Sequence, residues 1–270
     1  MKNSTVAHQY AKYALQALDQ PVDKFLDYSL WLTVNALADP FVRGMQNGAL
    51  NFSNESAHAE FALRSLETGK AAALLKQLVR QRKLPRNGRG SLIELIGTAG
   101  AAGELAILFS QLKSDGFDSD VHARVLTALA SAARLRNTRP TGDLSGVGKF
   151  LNSDDRAIHT AAVHLVGAWK QVPQVPALLM IAAEGDDAAF DSLVTIRGRK
   201  VVQGLKRLAA ADKPIATRQA AARALGAINL KSSLAEIFAV LKTTEDANAA
   251  LELWRELLGG KGAGTALAEG

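Results

Sequence analysis

The chain has 270 residues, of which 48% are hydrophobic and only 6% aromatic, and its formal net charge at pH 7 is +6. Cysteine is absent, which excludes disulfides, thiolate metal sites, cysteine nucleophiles and covalently attached c-type haem. No apolar run approaches the roughly 18 to 20 residues of a transmembrane helix, and no signal peptide is visible, so neither feature is predicted. Ala and Leu dominate the hydrophobic fraction and enter helices at little cost, which favours helices over strands.

Residues 1–70 are predicted to form an N-terminal helical capping region. Helices are expected over residues 4–18 and 21–37, and the second begins at Pro21, where a missing N–H costs nothing. Tyr28 and Trp31 lie three positions apart on that helix, so their rings are expected in the packed core of the cap without binding a cofactor. A loop and a further helix over residues 56–66 complete the region.

Residues 71–258 are predicted to form HEAT-like repeats. The clearest internal match aligns residues 157–169, AIHTAAVHLVGAW, with residues 216–228, ATRQAAARALGAI. Corresponding helix-ending positions recur every 28 to 36 residues, and each such helix is followed by a shorter one. A drifting period with helix-turn-helix content is typical of HEAT and armadillo arrays. The expected fold is an all-α, right-handed α-solenoid of HEAT/armadillo-like hairpins.

Capping residues and small residues give further detail to this prediction. Asp155 and Asp186 precede repeat helices and are expected to cap their free N–H groups. Gly167 and Gly226 are interpreted as helix C-caps rather than ligand-binding loops. They and the neighbouring alanines should also let adjacent helices approach closely. Residues 259–270 are predicted to be a flexible glycine-rich tail.

Two stretches resemble a known bacterial family. They are residues 17–34, ALDQPVDKFLDYSLWLTV, with Leu50-Asn51-Phe52 after them, and residues 254–258, WRELL, followed by Lys261-Gly262-Ala263. Both are similar to the helical region of large membrane-bound dehydrogenases of planctomycete-type bacteria. Members join a propeller, a HEAT-like region and a c-type cytochrome. The resemblance implies a connector between redox modules, with a periplasmic or exported parent, but neither the haem nor the dehydrogenase site carries over to a chain without cysteine or propeller sequence.

No catalytic, cofactor or metal site is predicted. His159 and His164 are five positions apart, a poorer spacing for shared metal ligation than four, and surface or groove positions are expected for the histidines. Asp23 and Asp27 lie early in a helix, where carboxylates favour the helix dipole, so a structural or interface role is preferred over acid–base chemistry. The glycine-rich stretches follow no strand and are interpreted as turns.

Charge distribution is the strongest functional signal. Six basic residues fall within residues 76–89 without an acidic one, and two further clusters follow at helix ends or turns. The candidate interaction surface consists of Arg80, Arg82, Lys83, Arg86, Arg89, Arg134, Arg136, Arg139, Arg197, Arg199 and Lys200. Two interpretations stay open: charges that complement helix C-terminal dipoles, or a basic ridge for an anionic partner.

The leading functional hypothesis is a non-catalytic scaffold that docks a protein partner or other domains of a parent chain. The alternative is a basic-groove, HEAT-like nucleic-acid-binding protein, which salt-dependent DNA retention would distinguish. A third hypothesis is an enzyme such as a HEAT-like DNA glycosylase or a bilin lyase, but no convincing constellation of groove aromatics and a carboxylate supports it. No small-molecule substrate is identifiable.

Overall fold

The computed structural model describes residues 4–46, 56–66, 70, 75, 79, 84–88 and 92–259. Every regular element in these ranges is helical, which confirms the all-α prediction. The chain divides into two compact units, Met1–Leu144 and Ser145–Gly270. The predicted tail beyond Gly259 lies outside the described residues.

The first unit contains α-helices that pack both on sequence neighbours and on next-but-one helices, with the most extensive contacts between next-but-one pairs. Its helices are α1 Ser4–Leu15, α2 Lys24–Ala36, α3 Ala38–Gln46, α4 Ser56–Ser65, α5 Leu92–Ala99, α6 Ala102–Lys113 and α7 Ser119–Arg136, with a 3₁₀ turn over Gln16–Asp19. Helix α1 contacts α2 and α3, α2 contacts α4, and α5 packs on both α6 and α7. Helix α2 starts at Lys24, three residues after the predicted start at Pro21, because Asp23 Oδ1 accepts the N–H groups of Phe25 and Leu26 at 3.0 and 2.8 Å and caps the helix there.

The second unit contains the two helical segments of the clearest internal sequence match. Its helices are α8 Arg156–Ala168, α9 Val175–Ala183, α10 Asp187–Ile196, α11 Arg199–Leu208, α12 Ile215–Asn229, α13 Leu234–Lys242 and α14 Ala247–Leu258; 3₁₀ turns cover Ser145–Asn152, Val172–Gln174 and Lys231–Ser233. Asp155 Oδ1 accepts the Ala157 N–H at 2.8 Å, and Asp186 Oδ1 accepts the Ala189 N–H at 3.0 Å. Both aspartates therefore cap helices as expected.

Packing in the second unit follows a next-but-one pattern. Helix α8 contacts α10, α10 contacts α12, and α12 contacts α14, while α9 contacts α11. The extensive contacts between sequence neighbours join α9 to α10, α11 to α12 and α12 to α13. The second helices of the first two predicted hairpins, α9 and α11, thus pack substantially against the helix that follows each of them.

The glycines that were interpreted as helix C-caps lie within helices instead. Gly167 and Gly226 precede the last residues of α8 and α12. A Cβ atom on Gly167 would lie 2.6 Å from Ser192 Oγ of α10, and one on Gly97 would lie 2.8 Å from the Ala128 carbonyl oxygen of α7. The C-cap interpretation is therefore wrong, and close helix contact is the reason these positions lack a side chain.

One arginine in each unit donates hydrogen bonds to groups at the ends of neighbouring helices. Arg136 Nη2 donates to the Gly97 carbonyl at 2.8 Å, near the C-terminus of α5. Buried Arg218 donates from Nε to the Ala209 carbonyl at 3.4 Å and from Nη2 to Thr243 Oγ1 at 2.6 Å. Ala209 and Thr243 are the C-cap residues of α11 and α13, so the guanidinium meets the negative ends of two helix dipoles.

Candidate docking surfaces

The first basic cluster is represented in the described structure by Arg86 alone. Arg86 is exposed, and its Nε lies 3.4 Å from Asp118 Oδ1, a carboxylate that the cluster's own segment does not supply. The other proposed members of this cluster, Arg80, Arg82, Lys83 and Arg89, lie outside the described residues.

The second basic cluster separates into residues of different character. Arg134 is exposed in the last turn of α7. Arg136 is half-buried and donates to the Gly97 carbonyl, and burial lowers the pKa of its guanidinium. Arg139 is half-buried as well. The Arg136 guanidinium therefore forms a hydrogen bond within the first unit. Of these three residues, only Arg134 is exposed as expected.

The third basic cluster is fully exposed at the turn between α10 and α11. Arg197, Arg199 and Lys200 flank Gly198, which has a φ of +92°. Arg199 and Lys200 occupy the first turn of α11, where positive charge is unfavourable because the helix dipole is positive there. The dipole interpretation therefore fails for these two residues, and their charge is not explained by helix stability.

The largest departure from the sequence-based expectation concerns the aromatic residues of α2. Tyr28 is 60% exposed and Trp31 is 43% exposed, so these rings are not in the core of the first unit. They stack on each other with ring centroids 6.0 Å apart. Phe25, one turn earlier, is 70% exposed, and Lys24 Nζ lies 5.0 Å from its ring centroid. The prediction of a packed aromatic core is wrong.

The reason is that α2 is apolar on two opposite sides. Leu30 and Val34 form the side that is buried against the first unit. Phe25, Tyr28 and Leu32 follow the i, i+3, i+7 spacing of a second apolar stripe, and all three are exposed. Periodicity alone does not reveal which of two apolar stripes faces the core.

A surface groove of about 430 Å³ lies over α10, α12 and α14 in the second unit. Its apolar lining comes from Phe190 and Val194 on α10 and from the alanines of α12. The groove exists because small residues of α12 leave space between the larger side chains on either side. The α12 alanines that line it are Ala220, Ala224 and Ala227.

The rim of this groove carries more negative than positive charge. Asp187, Asp191 and Glu256 line it, together with a single basic residue, Arg223. Arg223 Nη1 lies 3.5 Å from Glu256 Oε2, which leaves the two aspartates of α10 to set the sign of the potential. The sequence analysis did not predict this acidic groove on a chain of net charge +6. Its lining residues come from three helices and span 69 positions, from Asp187 to Glu256, so no local sequence pattern contains them.

The histidines do not form a shared site. His58 is buried, contrary to the expectation of surface or groove histidines, and its Nε2 lies 2.9 Å from Asp19 Oδ1. His159 Nδ1 lies 2.7 Å from the Leu151 carbonyl oxygen, and its Nε2 lies 3.7 Å from Asp186 Oδ2. Within the described ranges, no group of three or more histidine or acidic residues is placed to hold a metal ion.

Comparisons with known proteins leave the family unassigned. No protein-family model matches the chain, and no curated protein matches it significantly. Among the helices that the structure describes, none is long and apolar enough to cross a membrane.

Proposed function

We propose that this chain is a non-catalytic, HEAT-like helical-repeat scaffold that docks a protein partner. The carrying observation is the groove over α10, α12 and α14, which next-but-one packing of the repeat helices leaves on the surface of the second unit. Stacked helical hairpins present extended binding surfaces in repeat proteins. The right-handed solenoid remains part of this proposal.

The chemistry of the groove favours a cationic, partly apolar segment of the partner protein. Asp187 and Asp191 lie one turn apart on α10, so both carboxylates can face the same bound segment. Phe190 and the small α12 residues supply apolar surface between that rim and Glu256. Complementary charge at such a site steers association and selects among partners more than it adds affinity.

The test uses a fluorescein-labelled synthetic peptide of alternating arginine and leucine, with a glutamate–leucine peptide as the negative probe. Fluorescence anisotropy should show binding of the arginine peptide alone, weakened by salt. Asp191→Lys should reduce affinity about tenfold, which corresponds to about 1.4 kcal/mol. Ala227→Trp should also weaken binding, because the indole fills exposed groove space without changing charge.

The matched control is Glu184→Lys, which makes the same change of charge at an exposed position of the second unit outside the groove lining. Its affinity for the arginine peptide should stay within about twofold of that of the unmodified chain. An equal loss of affinity in Glu184→Lys and Asp191→Lys would show that only overall charge matters. Unchanged affinity in both Asp191→Lys and Ala227→Trp would reject the groove.

A second candidate function is nucleic-acid binding, favoured by the exposed turn of Arg197, Arg199 and Lys200. These cations do not stabilise α11 through its helix dipole. Among the described residues, none of the three forms an ion pair with a carboxylate. Retention of the chain on a DNA column with a steep salt dependence, lost in Arg197→Ser/Arg199→Ser/Lys200→Ser, would favour this function. Absence of retention at low salt would eliminate it.

The family resemblance supplies a context for the scaffold proposal. If the chain is the connector region of a larger redox protein, the docked partner is another domain of the same parent. The neighbouring coding sequence tests this point, since a propeller upstream and a Cys-x-x-Cys-His module downstream are expected. Neighbouring sequence without either module would separate the chain from the dehydrogenase family.

A further inference from the structure

The outward face of α2 carries a second, independent surface, which we call the aromatic face and define as Phe25, Tyr28, Trp31 and Leu32. All four side chains are at least 43% exposed. Each lies on the side of α2 away from buried Leu30 and Val34 or at the edge of that side. Surface helices of globular proteins usually carry one apolar stripe, and a contiguous second stripe marks an interaction surface.

We propose that the aromatic face binds a second copy of this chain, forming a two-fold symmetric dimer through antiparallel α2 helices. A two-fold contact brings the same surface of both copies together, so the face must be complementary to itself. An antiparallel arrangement centred between Tyr28 and Ser29 places Phe25 of one copy opposite Leu32 of the other. It also brings the two Tyr28 rings together at the centre.

Charge supports a second copy as the occupant. Both chains carry +6, so two copies repel each other wherever their basic clusters meet. The aromatic face is nearly neutral by contrast, since Lys24 is held over the Phe25 ring and Asp27 Oδ1 lies 3.6 Å from Arg64 Nη2. A neutral apolar surface offers no charge to nucleic acid or to an anionic lipid surface, and it suits contact with an identical surface.

The available area also fits a dimer. Full burial of the four exposed side chains would remove about 450 Å² per copy, estimated from typical side-chain areas. For two copies this amounts to about 900 Å², and neighbouring α1 exposes Tyr10 and Tyr13, whose full burial would extend the total to an upper bound of about 1,400 Å². Stable interfaces bury roughly 1,200 to 2,000 Å² in total. The Tyr28 and Trp31 rings stack on each other within one copy, so they present a continuous aromatic surface to a partner.

Sedimentation velocity from about 2 to about 200 µM tests the proposal, with dissociation expected in the micromolar range. The double variant Phe25→Ser/Tyr28→Ser should be monomeric throughout. The control is Leu135→Ser/Met180→Ser, which removes two apolar side chains that are 81% and 71% exposed elsewhere, and it should dimerise like the unmodified chain. A monomeric unmodified chain at the highest concentration, or equal behaviour of the two double variants, overturns the proposal.

A cross-linking measurement keeps the test valid if the double variant does not fold. Because the chain has no cysteine, Ser29→Cys introduces a single thiol near the proposed two-fold axis. Under mild oxidation it should form an intermolecular disulfide much faster than Thr195→Cys, a control on the exposed side of α10. Equal rates for the two variants would reject the antiparallel α2 arrangement. The dimer does not depend on the groove, so either proposal can fail alone.

Discussion

The contact between α8 and α10 makes a quantitative prediction for Gly167→Ala. In a helix interior, Ala is favoured over Gly by about 1 kcal/mol. At Gly167, however, the new Cβ would lie 2.6 Å from Ser192 Oγ and 2.9 Å from Ser192 Cα, so the backbone of α10 must shift. Overpacking of this kind costs roughly 1 to 3 kcal/mol. We therefore expect Gly167→Ala to destabilise the second unit by up to about 2 kcal/mol, which is the overpacking cost less the gain in helix propensity.

Thermal unfolding followed by tryptophan fluorescence measures this change. In a Trp31→Phe background the remaining tryptophans lie in the second unit, and Trp169 is fully buried two residues after the substitution. Gly226→Ala is the matched control, because its Cβ would meet only side-chain atoms, chiefly the terminal Cδ2 of Leu257. Adding Ser192→Gly should recover part of the loss in a double-mutant cycle. A Gly167→Ala variant as stable as the Gly226→Ala control would refute the reasoning.

Three further predictions concern the first unit. Trp31→Ala should lower its free energy of unfolding by about 2 kcal/mol, less than the roughly 3 to 5 of a fully buried ring because 43% of the side chain is exposed; a loss in that upper range in thermal unfolding would contradict the exposed position. Arg136→Ala should lower the free energy of unfolding by about 1.5 to 3 kcal/mol, because the hydrogen bond to the α5 carbonyl is lost. Arg134→Ala should change it by no more than about 0.5 kcal/mol, and urea unfolding measures both variants. Lys70 Nζ lies 2.7 Å from Asp39 Oδ1, and its hydrogen bond and charge lower the pKa of that carboxyl. The resulting stabilisation is complete above the unfolded-state pKa of the carboxyl and is lost as pH falls through its lowered folded-state pKa. NMR titration should show this shift, and Lys70→Met should abolish it.

Helix content and helix starts could be predicted from the sequence because they depend on local chemistry. The aspartates at positions 155 and 186 cap helices, as expected, through bonds that span two or three residues. The alignment of residues 157–169 with residues 216–228 identified α8 and α12 correctly. Each of these predictions needed only the order of residues within one helix.

The orientation of helix faces could not be predicted in the same way. Helix α2 has apolar residues on two sides, and only the tertiary contacts of Leu30 and Val34 decide which side is buried. The close helix contact expected at Gly167 is confirmed, but its assignment to a helix C-cap was wrong, and Ser192, its contact 25 positions later, could not be identified from the sequence. The groove likewise combines residues of three helices, so no local sequence pattern predicts it.

The buried guanidinium of Arg218 has a consequence for local opening of the second unit. The Arg218 side chain donates hydrogen bonds to the C-terminal ends of both α11 and α13. If either helix end frays, the buried guanidinium loses a partner, and its contact with the other helix end is disturbed as well. Amide hydrogens near both ends should therefore exchange with solvent through a common opening event rather than as two independently frayed termini. In Arg218→Met, which keeps much of the apolar stem, the two ends should exchange separately and faster. One interior side chain thus couples the dynamics of helices that are neighbours of α12 on either side in sequence.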